Sequence, residues 1–241
     1  MSFTTWTPPA VLSEARPWRG VLWRIVEAQH IASTMKLVDT RDEQDVLERL
    51  LEASKPPAPD ETTGLDYLLA TPFRYPPLAF GSRFRGPNDP GVFYGAESVR
   101  TAGAELGYWR WRFLADAVAL DRLEPVAHTA FSAAVDTSSV DLRGPPFAAD
   151  RAQWMHLTDY APTQAFARVA RTARIGGIRY ASVRSPEASW CMALLTPQAF
   201  ASPRPRAARE TWYLAVGKRQ VTWRTDSRSM TFDADGWLAP P

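Results

Sequence analysis

Two arginines, a tyrosine and a glutamate fall within one short run of this chain. Arg83 and Arg85 sit in Gly81-Ser82-Arg83-Phe84-Arg85-Gly86, Tyr94 ends the apolar stretch Val92-Phe93-Tyr94, and Glu105 closes Thr101-Ala102-Gly103-Ala104-Glu105. Guanidinium groups bind phosphate oxygens through paired, charge-assisted hydrogen bonds, so the two arginines form a candidate fork for phosphate or pyrophosphate. A carboxylate one helix later can be set against the ligand that the fork holds. An aromatic, partly dry setting would raise the pKa of such an acid and a neighbouring arginine would lower it. Far downstream, Ser182 shares one side of a strand with Ile178, Tyr180 and Arg184. Taken singly, each residue also has a plain structural reading: solvated loop arginines, a core tyrosine with a satisfied hydroxyl, a surface glutamate, a packed serine.

Familiar chemistries are missing. His30, His128 and His156 are scattered, with no HExxH and no i,i+4 pair, so a zinc site is not expected. No GxxxxGK[ST] loop, GxGxxG turn or GxSxG elbow occurs. Cys191 is the single cysteine and lies in the apolar run Trp190-Cys191-Met192-Ala193-Leu194-Leu195, which points to a packed thiol rather than a nucleophile. The formal net charge of +2 is spread through the 241 residues without a basic block, which argues against direct nucleic-acid binding. The start of the chain has no basic n-region followed by an apolar stretch, and no apolar run reaches membrane-spanning length, so a cytoplasmic protein with no membrane contact is expected.

The elements that must position these residues can be read in outline. Residues 1–20 are rich in Pro and Trp and are expected to wrap the surface. Val21–Val26 reads as a first strand. Thr40-Arg41-Asp42-Glu43 is a capping box, after which Val46, Leu47, Leu50 and Leu51 recur at helical spacing until the Pro-rich stretch at 55–59. A short helix over 66–70 should end before Thr71-Pro72. Val92–Gly95 reads as a short buried strand, and Ser98 to about Ala119 as a helix with Ala102, Leu106, Trp109 and Phe113 on one core-facing stripe. Val126–Ala134 is a candidate strand. A helix over 162–173 should be closed by Gly176-Gly177, followed by strands at 178–183 and 190–195. Thr211–Val216 and Gln220–Arg224 form a hairpin around Gly217-Lys218. Strands cluster in both halves with helices between them, which gives an α+β class.

Five pieces occur in one order: Trp23-Arg24-Ile25; Gly81-Ser82-Arg83-Phe84; Val92-Phe93-Tyr94; Ala102-Gly103-Ala104-Glu105; and Gly176-Gly177-Ile178-Arg179-Tyr180-Ala181-Ser182-Val183-Arg184. This ordered set resembles the RES domain family of NAD-consuming toxin enzymes, and the even spacing of Arg83, Tyr94 and Glu105 matches its pattern. The resemblance implies an ADP-ribosyltransferase-like split β-sheet core with flanking helices around an NAD cleft. It divides the chain into an extension over 1–20, a catalytic domain over 21–200 with an insertion at about 29–78, and a C-terminal β-hairpin over 201–241 packed on the same domain.

The activity it implies is cleavage of the nicotinamide–ribose bond, with NAD as substrate, phosphate as co-substrate and no resident cofactor or metal. NAD hydrolysis, ADP-ribosyl transfer and a non-catalytic nucleotide-binding module stand as alternatives. Glu105, Arg83 and Tyr94 would be catalytic. Arg24, Ser182, Arg85 and Arg74 would bind substrate, with Arg24 and Arg74 (in Phe73-Arg74-Tyr75) both open for the family's first arginine. The implied partner is a separately encoded protein antitoxin with a helix-turn-helix, and the Trp-rich N-terminal part is a candidate partner or homodimer surface.

Overall fold

In the computed structural model, which describes residues 5–28, 38–77, 79–206 and 208–238, one long strand organises the chain. β3 (Arg122–Asp141) is rich in β-branched and small residues. Along one edge it pairs antiparallel with β1 (Arg16–Glu27), from Arg16 opposite Ser139 to Glu27 opposite His128. Its other edge is shared. The first half pairs antiparallel with β6 (Glu210–Gly217), and residues 139–141 pair parallel with β4 (Gly177–Ala181). β4 pairs with β5 (Trp190–Leu194), β5 with β2 (Phe93–Ala96), and β2 returns to β1 through the single pair Trp23–Ala96. Thus β1, β2, β5, β4 and β3 close into a ring, while β7 (Gln220–Arg224) and β8 (Ser229–Asp233) extend the sheet beyond β6 as a meander. The α+β class holds, and the two halves expected as small sheets are joined through β3.

The core follows the period-two alternation of the strands. Phe131, Ala133 and Val135 pack with Leu22, Phe93, Met192 and Leu194 on one side of the ring, capped by α3 (Tyr67–Arg74). On the other side lies α4 (Val99–Asp116), whose Tyr108, Trp111 and Leu114 pack with Trp212, Trp223 and Trp237. The Ser98 hydroxyl accepts the Thr101 N–H at 3.1 Å and starts α4. α1 (Pro8–Ser13), α5 (Arg151–Trp154), α6 (Ala161–Thr172) and the short α7 (Asp235–Leu238) complete the shell.

Several expectations need correction. Of the segment 1–20, residues 1–4 lie outside the described residues, and 5–20 do not merely wrap the surface, because Val11 is fully buried, Trp6 packs 4.5 Å from Phe147, and β1 begins at Arg16. α2 (Arg41–Ser54) has its capping box, but buries nothing: Val46 and Leu50 are 45% and 63% exposed. α3 runs through Pro72 to Arg74. On α4 the predicted core stripe splits, since Ala102 is buried and Leu106 half-buried while Trp109 and Phe113 are 51% and 59% exposed. The helix is aromatic on more than one side, and the strands decide which side is covered. α6 is stopped by Arg174 in the left-handed region (φ 57°), not by the glycine pair. Gly176 serves close approach instead, as a Cβ there would collide with Thr137 Oγ1. The stretch 29–78 lies partly outside the described residues, at 29–37 and 78, as does His30; its described part holds α2, a 3₁₀ turn at Asp60–Thr62 and α3.

Candidate active site

Where β1, β2, β4 and α4 meet, a cavity of about 380 Å³ is lined by Arg24, Arg83, Tyr94, Glu105, Tyr180 and Arg184, together with Trp23, Trp109, Tyr160 and Cys191. Four of the seven residues singled out in the sequence therefore face one space, and a fifth, Ser182, touches it through Glu105.

Glu105 is the one acidic residue in that lining. Ala102 and Ala104 let the first turns of α4 lie close to the sheet, which leaves the longer Glu105 side chain to reach inward. The Ser182 hydroxyl donates to Glu105 Oε1 at 2.6 Å. Its direction is fixed locally: Ser182 Oγ accepts the backbone N–H groups of Arg184 (3.3 Å) and Ser185 (3.2 Å). A hydroxyl has one proton and two lone pairs, so with both lone pairs occupied the proton is left for the carboxylate. The Cys191 thiol lies 3.8 Å from the same oxygen. Burial, and then the nearby Glu105 charge, push that thiol well above its ordinary pKa, so it stays protonated and the packed-thiol reading stands.

The positive groups are held by carbonyls rather than by acids. Arg83 is buried and donates to the carbonyls of Trp154 (2.9 Å) and His156 (3.0 Å), with its guanidinium 4.7 Å from the Tyr160 ring centroid. Arg184 donates to Leu157 O at 2.6 Å and lies over the Tyr108 ring at 3.5 Å. Arg24 donates to Tyr94 O at 2.8 Å and faces the Phe93 ring, while its Nε has no partner. Burial lowers the Arg24 pKa to about 10, against the opposing pull of Tyr94 and Tyr180; it remains charged at neutral pH. None of the three forms an ion pair among the described residues. Three guanidiniums facing one carboxylate give the cavity a net positive field, which favours an anionic guest.

Tyr94 is an anchor as well as a wall. Its hydroxyl shares a hydrogen bond with Ser82 Oγ (2.7 Å) and accepts the Phe84 N–H (2.9 Å), and burial raises its pKa. These bonds tie the turn that carries Arg83 to β2. Gly81 makes that turn with φ 70°, where a Cβ would strike the Arg85 carbonyl.

Two of the candidate residues lie elsewhere. Arg85 does not form a fork with Arg83: Arg83 reaches back to the Trp154 and His156 carbonyls, whereas Arg85 donates to Asp89 O and Tyr75 O outside the cavity. Arg74 pairs with Glu52 at 2.8 Å and donates to Pro56 O, so only Arg24 of the two rivals is in the lining. Sequence reasoning missed Arg184, Tyr160 and Trp109 as lining residues. Arg184 was legible as the next residue on the Ser182 side of its strand; Tyr160 gave no signal.

The model of the RES domain matches residues 58–216, well over half of the sequence. The chain belongs to the RES domain family. A solved chain of the M. tuberculosis MbcT–MbcA toxin–antitoxin complex is similar to this RES protein at 12% identity and a TM-score of 0.46, over 93% of this chain and 90% of that one. No curated protein matches the sequence. Among the described residues no His, Cys, Asp and Glu cluster could hold a metal ion, and no helix is long and apolar enough to cross a membrane.

Proposed function

We propose that this RES protein breaks the nicotinamide–ribose bond of NAD and passes the ADP-ribosyl group to phosphate. The observation that carries the reading is Glu105, hydrogen-bonded by Ser182, facing the same cavity as three guanidiniums that lack acidic partners. In NAD the nicotinamide nitrogen is cationic. When the C–N bond breaks, its electron pair leaves with the ring, which departs neutral and needs no general acid. Positive charge builds on the ribose carbon, and a nearby carboxylate stabilises that oxocarbenium-like state. Glu105 fills this role. A phosphate oxygen then bonds to the same carbon.

Arg24, Arg83 and Arg184 bind the pyrophosphate and the incoming phosphate, and Tyr94 forms the wall beside the ribose. The cavity of about 380 Å³ brings those guanidiniums and Glu105 to one space, as a nicotinamide-ribose unit with its phosphates requires. Water or a macromolecule as acceptor is the second reading, because the same guanidiniums serve the pyrophosphate alone.

By the same family resemblance we propose toxin behaviour, a protein antitoxin with a helix-turn-helix as partner, and an insertion at about 29–78. The deciding experiment is incubation of the purified chain with NAD, with and without phosphate, followed by product identification. An ADP-ribosyl phosphate formed only with phosphate supports phosphorolysis, free ADP-ribose supports hydrolysis, and full nicotinamide release by Glu105→Gln ends the proposal.

A further inference from the structure

The turn that sends Arg83 into the first cavity sends Arg85 the other way, into a second one. This second cavity, of about 570 Å³, lies between that turn, the 3₁₀ turn at Asp60–Thr62, the end of β5 and the C-terminal end of α6. Arg85, Arg171 and Arg174 line it, with Glu61 as the one acidic residue in the lining and Phe73, Ile175, Leu195 and Pro197 as an apolar wall.

The three arginines are differently employed. Arg171 is clamped by the carbonyls of Leu195, Pro90 and Gly91. Arg85 is held by Asp89 O and Tyr75 O. These bonds use Nη1 and Nη2 of Arg171 and Nε and Nη2 of Arg85, so each guanidinium keeps a nitrogen without a partner among the described residues. Arg174 has no side-chain hydrogen bond or ion pair among them. It also occupies the left-handed backbone position that ends α6, where glycine or asparagine costs least. Arginine there is conformationally expensive and places a free guanidinium beside two fixed ones. Asp89, whose charge reaches Arg85 and Arg171 from outside the lining, is already taken by Arg168 and the Gly86 N–H.

We propose that this second cavity is a binding site for a small molecule bearing a diphosphate group, separate from the cavity that holds Glu105. Fixed guanidiniums with spare N–H groups and a third, exposed one without a side-chain partner suit several phosphate oxygens at once, and the apolar wall accepts an attached organic portion. Burial lowers the Arg171 pKa; Asp89 and Tyr94 oppose this and Arg85 adds to it, which is the repulsion that an anion between the two would relieve. The site is also wired to the first cavity. Ser82 and Arg85 exchange backbone hydrogen bonds across the turn, and Gln164 of α6 donates to the carbonyls of Phe80, Ser82 and Arg85. Occupancy on the Arg85 side therefore bears on where Arg83 sits.

The test is calorimetric titration of inorganic pyrophosphate into the full chain, the Arg174→Glu and Arg174→Gly variants, and Arg83→Ala. Arg174→Gly removes the charge and eases the backbone, so folding is not at stake in that arm. The expected result is a pyrophosphate event weakened on the order of tenfold or more by both Arg174 substitutions and retained in Arg83→Ala. No pyrophosphate binding by the wild type, binding indifferent to both Arg174 substitutions, or binding removed by Arg83→Ala alone would each overturn the proposal.

Discussion

Replacing Ser182 with alanine removes one oxygen that makes three hydrogen bonds. The hydroxyl donates to Glu105 Oε1 and accepts the Arg184 and Ser185 N–H groups. A hydrogen bond to a charged group contributes about 1.5–3 kcal/mol. If the bond holds the Glu105 carboxylate where positive charge develops on the ribose, its loss lowers kcat roughly 10- to 150-fold. KM for NAD should move much less, because the phosphates are held by the guanidiniums. The two stranded N–H groups also weaken the fold, by about 1–2 kcal/mol in total, which for a chain of this size lowers Tm by roughly 2–8 °C. The assay is steady-state nicotinamide release at several NAD concentrations, run well below the lowered Tm, beside a thermal melt. A lowered Tm with kcat within twofold of wild type would refute the positioning role and leave Ser182 as packing. A rise in KM with kcat unchanged would place Ser182 on the substrate instead.

Arg74→Ala should leave turnover within about twofold of wild type, since Arg74 lies outside the cavity in a pair with the exposed Glu52; Arg83→Ala should raise KM for NAD by about tenfold or more in the same assay, as expected for loss of a charged phosphate contact. Gly176→Ala should destabilise the chain by about 1–3 kcal/mol in urea melts, because the new methyl meets Thr137 Oγ1, and adding Thr137→Ala should recover most of the loss. Asp141 gives the pH prediction. Burial acts to raise its pKa, but hydrogen bonds from Arg143 and Arg179 outweigh that and lower it to about 2. A depressed carboxylate stabilises the fold above its unfolded pKa of ~4 and loses that contribution as pH falls from there through about 2. Acid melts should therefore show wild type losing an increment over that window, and Asp141→Asn should flatten it.

Local chemistry was legible where it is governed by local rules. The Thr40–Glu43 capping box forms as read, and Arg83, Tyr94 and Glu105 were found as a set because their order and spacing match a family pattern. What could not be read depends on which distant element covers which side. Trp109 and Phe113 carry the same apolar signal as Tyr108 and Trp111, and only the placement of β7 and β8 against α4 separates core from surface. Arg83 and Arg85 looked equivalent two residues apart, yet one faces each cavity. The apolar spacing at 46–51 identifies α2 as a helix but not what covers it, and none of its residues is buried.

The ring of strands resembles a cask whose staves are bound unequally. β1 and β3 share twelve residue pairs, whereas β1 and β2 meet at one, Trp23–Ala96, reinforced by the Arg24 side chain on Tyr94 O. Parting that joint breaks a couple of hydrogen bonds at roughly 0.5–1.5 kcal/mol apiece and leaves every other ladder intact. Arg24 and Tyr94 both stand at the joint and both line the cavity, so the wall beside Glu105 is the least cross-braced stretch of the whole hoop.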